Sequence, residues 1–407
     1  MRVDSLHDLA APVSERDGFE APWPEVTFAQ ELSRLPVDDL LEVAHSARPA
    51  LVERAMATDP LERTLEDYAA LLSPAAGERL EELAAESRKL TLARFGRTMH
   101  MYAPLYLSNE CLTTCGYCGF AKNLPVARKT LGHAEAIEEA RHLTAQGFRS
   151  ILLLTGEHER LTGVEFLERH LRSLSPVVPS LSIEVQVWGE ADYLRLHAAG
   201  CEAVVIYQET YHPGRYSEVH LAGRKRSYRW RLLGPERAAR TGMRRVGVGA
   251  LLGLHDDWRY DAIVTAAHAR FLMKRYWRSQ VTVSTPRIRP SASGFQPRVE
   301  IGDRELVQYV CALRLLLPDA GLVLSSREPA ELRDGLHRIG ITHTSAGSHT
   351  EPGGYEHPGE AEEQFEVADT RSPAEVAASL RAMGYERVWE DPTLPEGVAR
   401  GLRAAAS

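Results

Sequence analysis

The sequence predicts an α/β fold of the (β/α)8 barrel type, and three observations carry that expectation. Short apolar, β-branched runs alternate with longer helical stretches from about residue 100 to about residue 346. The runs number eight, the count of parallel strands that closes a barrel. Polar or glycine-bearing segments follow nearly every run at its C-terminal end, where the reactive rim of such a barrel lies. An open doubly wound sheet, the alternative for this pattern, would not gather all eight ends at one face.

Before the alternation begins, the chain reads as helix. Asp38 to Ala57 and Ala76 to Phe95 carry apolar residues at helical spacing among Glu and Arg. The strand candidates are Tyr102–Leu107, Ser150–Leu154, Ser182–Val187, Ala203–Tyr207, Arg245–Leu251, Gln280–Ser284, Gly321–Leu324 and Ile341–Thr344. The segments after them include Ser108-Asn109, Thr155-Gly156-Glu157, Trp188-Gly189-Glu190, Gln208 to His212, Gly253, Pro286 to Arg289, Ser326-Arg327-Glu328 and Ser345 to Ser348. In the third run polar and apolar residues alternate, so Glu184 and Gln186 face the barrel cavity or need satisfied partners. From Glu351 onward Pro352-Gly353-Gly354 and His357-Pro358-Gly359 mark a loop, a helix is expected over Pro373 to Met383, and the Ala/Arg-rich end is expected to fray. The chain therefore divides into an N-terminal helical extension (1–100), the barrel (101–350) and a C-terminal helical tail packing on it (351–407).

Composition narrows the function classes. Hydrophobic residues make up 44% and charged residues 26% of the 407, ordinary globular usage. A net charge of −8 argues against a general nucleic-acid or anionic-membrane surface. The first twenty residues have no apolar core of a secretory signal, and no run approaches the length of a membrane span, so a cytoplasmic protein is expected. Five cysteines, three of them clustered, suit a reducing compartment. Cys201 and Cys311 sit in apolar surroundings and read as core residues.

The clustered three, Cys111, Cys115 and Cys118, are separated by three and then two residues directly after the first strand run. One short loop can turn three thiolates inward at this spacing. A 4Fe–4S cluster is usually held by four cysteines, so a trio leaves one iron open to a small chelating molecule. The arrangement resembles that of the radical S-adenosylmethionine (SAM) enzymes. A structural zinc site would want a second Cys/His pair, which is absent although His133 lies nearby in sequence. A disulfide would leave one cysteine over.

A series of motifs in fixed order makes the resemblance specific. Leu105-Tyr-Leu-Ser-Asn109 precedes the cysteine loop, which ends Gly116-Tyr-Cys-Gly-Phe120; Thr155-Gly-Glu-His158 and Tyr207-Gln-Glu-Thr-Tyr-His212 follow. Gly249-Ala-Leu-Leu-Gly253, Ser325-Ser-Arg-Glu328 and Pro352-Gly-Gly-Tyr355 complete it. From about Leu71 to about residue 373 the chain resembles the radical SAM tyrosine lyases of thiamine biosynthesis, the 2-iminoacetate synthases. The related lyase that matures iron-only hydrogenase carries a further C-terminal cysteine cluster, and no cysteine follows Cys311 here. Tryptophan lyases of thiopeptide biosynthesis, which share barrel and cysteine loop, remain the alternative. A non-catalytic iron–sulfur or zinc-binding barrel is the alternative of another class.

The resemblance implies roles residue by residue. Cys111, Cys115 and Cys118 hold the cluster, and SAM chelates the open iron. Tyr117 lies near the SAM adenine, or is a loop-packing aromatic. Thr155, Gly156 and Glu157 form the SAM amino-group site, with Gln186, Gln208 and Glu209 as polar contacts. Gly249, with Gly247 and Gly253, admits the adenine close to the fifth strand, or shapes a tight barrel corner. Arg327 holds the carboxylate of L-tyrosine bidentately, Ser345 adds a hydroxyl, and Tyr106 faces the substrate. Arg287 and Arg289 compete with Arg327, or else pair with Glu157 or Glu209. The family also implies two protein partners, thiazole synthase and a flavodoxin- or ferredoxin-type reductant.

Overall fold

In the computed structural model, which describes residues 3 and 5–388, eight parallel strands close into a barrel. They are β1 (Thr98–Ser108), β2 (Ser150–Thr155), β3 (Ser180–Glu184), β4 (Cys201–Glu209), β5 (Arg245–Ala250), β6 (Gln280–Ser284), β7 (Gly321–Leu324) and β8 (His343–Ser345). Each pairs with its sequence neighbour, and β1 closes the ring by pairing with β2 through Ala103 to Ser108 and with β8 through His100 to Tyr102. A ninth strand, Glu386–Val388, adds in parallel to the start of β1, a pairing the sequence pattern did not suggest. The expected frayed end lies outside the described residues.

Helices such as His133–Ala145, Val164–Leu174 and Trp258–Arg275 connect the strands on the outside. Outward strand residues (Ile151, Leu153, Ile183, Val246, Val248, Val283) are buried against them. Each such side chain contributes about 1.5–3 kcal/mol by leaving water. Several strand bounds differ from the sequence expectation: β1 begins four residues earlier, at Thr98, and β4 extends two residues further at each end. β3 stops at Glu184, because Val185 to Val187 leave the ladder, and β8 begins only at His343.

The helical stretch expected over residues 38–57 is two helices, Val37–Ser46 and Pro49–Ala57. Pro49 cannot continue the first but starts the second, where its missing N–H costs nothing. Likewise, 76–95 splits into Pro74–Gly77 and Leu80–Phe95. The extension is fastened to the barrel's outer helices by buried polar groups. Arg63 Nη1 donates to Leu315 O at 2.7 Å, and Gln308 Nε2 donates to Leu71 O at 2.9 Å and Ser73 O at 2.8 Å. Among the described residues no helix is long and apolar enough to cross a membrane.

After β8 the chain does not leave the barrel. Residues 350–369 run as a strap across the mouth before the helix Pro373–Ala382. Glu362 N donates to Ala127 O, Gly119 N to Gln364 O, and Glu366 N to Pro290 O, at 3.1, 3.2 and 2.9 Å. Buried Arg333 ties the strap to β8, donating to Thr344 Oγ1 at 2.7 Å and, more closely still, to Ser345 O and Asp369.

Candidate active site at the barrel rim

The loop after β1 is built around one amide and one guanidinium. Buried Asn109 donates through Nδ2 to Ala127 O and accepts from Lys129 N, both at 2.8 Å, which pins the loop's two ends. Arg128 donates to Asn109 O at 2.6 Å and to Phe120 O and Ala121 O at 2.8 Å. Inside this frame Cys111 and Cys115 are buried and Cys118 half-buried, none in a disulfide. The Thr113 hydroxyl lies 3.0 Å from Cys111 Sγ and 3.5 Å from Cys115 Sγ, and Phe120 N donates to Cys118 Sγ at 3.4 Å. Burial pushes the Cys115 thiol up to about 12 and Cys118 to about 11. Thiolates here therefore need a positive charge beside them, such as a bound metal would supply.

Among the described residues no three His, Cys, Asp or Glu side chains gather round one point, as a single zinc ion requires. A cube of four irons instead takes its thiolates at separate corners. His133 faces elsewhere, its ring 4.2 Å from that of His170.

Gly156, just past β2, explains itself sterically. A Cβ there would lie 2.3 Å from Glu110 O and 3.0 Å from the Cβ of Cys111, so only glycine lets the cysteine loop cross the strand end. Glu157 pairs with Arg231 at 3.1 Å, and Glu209 with Lys225 at 2.7 Å. Arg231 also donates to Tyr207 O at 2.6 Å and lies 3.6 Å from Glu209. Burial raises the Glu209 carboxyl, but Lys225 and Arg231 outweigh it and hold the group below its ordinary value. Glu209 has φ 72°, the one non-glycine residue with positive φ among the described residues. Strained backbone of this kind persists where surroundings over-determine it. Arg287, by contrast, pairs with Glu328 and Asp303, not with Glu157 or Glu209.

Gln186 and Gln208 are buried, each donating through Nε2 to a backbone carbonyl at 3.4 Å. Their Oε1 atoms and the Thr155 hydroxyl are left buried with no partner. Three orphaned acceptors on consecutive strand ends suit a ligand rich in N–H and O–H donors, as the amino group and ribose of SAM are. The residues present therefore fit both groups: thiols for a cluster and unclaimed acceptors for SAM.

Two further expectations meet simpler explanations. A Cβ on Gly249 would lie 2.7 Å from Ser284 O and 3.0 Å from Tyr207, so the glycine is needed for strand packing whatever binds nearby. Tyr117 donates to or accepts from His220 at 2.9 Å and sets its ring edge-on to His220 and Phe295, which is loop packing.

Beneath the rim lies a cavity inside the barrel, walled by Tyr102, Tyr106, Glu184, Tyr207, Arg327 and Ser345 among others. The Arg327 guanidinium sits 3.3 Å from the ring centroid of Phe365 in the strap and has no carboxylate partner among the described residues. Ser345 Oγ accepts from Ser326 N at 3.1 Å. Tyr106 donates to Gln364 Oε1 at 2.7 Å, and Gln364 Nε2 lies 3.9 Å from Cys118 Sγ. Sequence reasoning missed Lys225, Arg231, Gln364 and Phe365. A signal existed for Lys225 alone: Glu157 and Glu209 at strand ends demand cations, and the Arg-Lys-Arg run at 224–226 holds the partner of Glu209, whereas Arg231, the partner of Glu157, lies outside that run.

Comparison with known proteins agrees with the barrel fold. Residues 284–386 match the family model described as the Biotin and Thiamin Synthesis associated domain. The 2-iminoacetate synthase of Escherichia coli strain K12 is 42% identical over 365 residues, covering 90% of this chain and 96% of that enzyme. The solved structure of HydG, a maturase of FeFe-hydrogenase, matches with a TM-score of 0.79 at 28% identity, over 87% of this chain and 79% of that one. HydG from Carboxydothermus hydrogenoformans matches over the same shares at 31% identity and a TM-score of 0.73. With likeness running over nine-tenths of its length rather than through one motif, the chain belongs to the 2-iminoacetate synthase family.

Proposed function

We propose that this protein cleaves the Cα–Cβ bond of L-tyrosine, giving 2-iminoacetate and p-cresol for the thiazole moiety of thiamine. The observation that carries the reading is the gathering at one barrel rim of the cysteine loop, the orphaned acceptors and a cavity lined by an unclaimed guanidinium. When bound, the 4Fe–4S cluster and SAM supply reductive cleavage to methionine and 5′-deoxyadenosine, with removal of a hydrogen atom from the substrate. Cys111, Cys115 and Cys118 would hold the cluster. Thr155, Gly156, Glu157, Gln186, Gln208 and Glu209 would hold SAM, with Lys225 and Arg231 fixing the two carboxylates.

Arg327 holds the substrate carboxylate, pre-set in plane by Phe365, with Ser345 beside it. Tyr106, fixed through Gln364, forms the wall between cavity and cysteine loop. The strap excludes water, which would hydrolyse the imine product. A flavodoxin- or ferredoxin-class reductant supplies electrons, and thiazole synthase receives the imine, in the cytoplasm.

The test is anaerobic incubation of reconstituted protein with SAM, dithionite and either tyrosine or tryptophan, followed by mass spectrometry. p-Cresol with 5′-deoxyadenosine from tyrosine is expected. An indole acid from tryptophan, with nothing from tyrosine, would overturn the substrate assignment.

A further inference from the structure

Three charged side chains line the cavity: Glu184, Arg327 and Glu328. Glu328 is taken, since Arg287 grips both its oxygens. Arg327 and Glu184 are not. Among the described residues neither makes an ion pair, with the other or with anything else, and Glu184 has no hydrogen-bond partner. Ionised groups lining a part-buried cavity without partners are costly, so a cavity that keeps one of each sign is complementary to a ligand that brings both. A plain carboxylic acid would leave Glu184 unpaired, and a plain amine would leave Arg327 so. An α-amino acid carries adjacent opposite charges and satisfies both.

The position of Glu184 agrees. It lies level with Leu154 in the parallel register, two residues below Gln186. Gln186 stands past the end of β3, so Glu184, the strand's last residue, sits deeper in the barrel than the orphaned acceptor of Gln186. Past it, Tyr102 and Tyr207 lead with Leu152 and Val205 into the lower lumen, which His100, Arg245 and His343 also line.

We propose that Glu184 receives the α-ammonium group of the amino-acid substrate and takes its proton, across the cavity from Arg327. The inference rests on the amino-acid lyase reading above and deepens it. The step breaks one N–H bond and forms one O–H bond: ammonium and carboxylate become amine and carboxylic acid, and no electrons are exchanged. It leaves the substrate nitrogen neutral, at the layer directly beneath the SAM-fitting groups. Burial pushes the Glu184 carboxyl up to about 7, with Glu209 adding to the rise and Arg327, Lys225 and Arg231 opposing it. The phenols of Tyr102, Tyr106 and Tyr207 also face it. A carboxyl poised near neutrality is a serviceable proton acceptor.

The experiment is equilibrium titration of the reconstituted holoenzyme, without reductant, using L-tyrosine and 3-(4-hydroxyphenyl)propanoate, which lacks only the amino group. Wild type is expected to prefer tyrosine by about tenfold or more, the usual worth of a charge-assisted hydrogen bond. Glu184→Gln should erase that preference, weakening tyrosine while leaving the analogue within about twofold. Glu184→Asp, which keeps the charge and carries the test should the amide variant not fold, should retain part of it. Equal weakening of both ligands, or of neither, overturns the assignment, the first by pointing to the ring end of the substrate. If wild type binds no tyrosine at all, the lyase reading itself fails, and the assignment with it.

Discussion

Lys225 shows how a single side chain can hold a strained site together. It is half-buried, it neutralises Glu209 at 2.7 Å, and it lies over the Tyr117 ring at 5.7 Å. Lys225→Met would leave the buried Glu209 carboxylate only the more distant Arg231, which already pairs with Glu157. A loss of about 3–5 kcal/mol in urea unfolding is expected; a loss within 1 kcal/mol would mean that water already reaches the pair. Arg327 supplies the complementary case. Its plane is set by Phe365, so Arg327→Lys keeps the charge but loses both the stacking and the two-pronged grip. We expect kcat/KM for tyrosine to fall about tenfold or more through KM, with iron content unchanged. Neither side chain's environment was legible in sequence to the same degree. Arg327 follows a strand run and could be read as rim, whereas Lys225 stands in a charged run that looks like a solvated surface.

At the scale of elements, the strap is the piece that periodicity could not reveal. Strands announce themselves by β-branched runs and helices by 3.6-residue spacing, and residues 350–369 have neither. Their order comes from single hydrogen bonds to the loop after β1 and from the buried Arg333–Asp369 pair. Burial raises the Asp369 carboxyl, but Arg371 and Arg333 hold it net below its ordinary value. The native state therefore binds fewer protons than the unfolded chain near pH 4, and the pair's stabilisation is lost as pH falls through the folded pKa. Asp369→Ala should destabilise the protein by about 3–5 kcal/mol by stranding Arg333. Limited proteolysis should then cut first between 350 and 369; intact resistance there would show that the backbone bonds suffice. The two broken helices of the extension were misread for the opposite reason. Their apolar spacing is continuous, and only Pro49 marks the break in the first.

For the whole molecule, the barrel was legible because eight strand runs each buried one face outward, a pattern that repeats and so reinforces itself. The joints between extension and barrel were not, because they rest on lone buried polar groups. Glu236 is one: it accepts from Phe28 N at 2.8 Å and from the Tyr276 hydroxyl at 2.9 Å. Burial pushes its carboxyl up to about 7, against those two hydrogen bonds. The native state thus keeps a proton that the unfolded chain releases near its ordinary value of about 4.3. Stability must fall as pH rises between those two values. Glu236→Gln should flatten that slope, leaving the variant relatively more stable at pH 8 than at pH 5 when Tm is compared with wild type. An unchanged slope would assign the dependence to other groups.

The strap also sets a clock. It covers the cysteine loop, touching Cys118 from 246 residues further along the chain. At about 5–20 residues per second, a ribosome needs on the order of ten to fifty seconds to make that stretch. For that interval the three thiols stand uncovered beside a barrel still lacking its last strands. Iron offered during synthesis would meet an open loop, and iron offered afterwards would meet one covered by Gln364 and its neighbours.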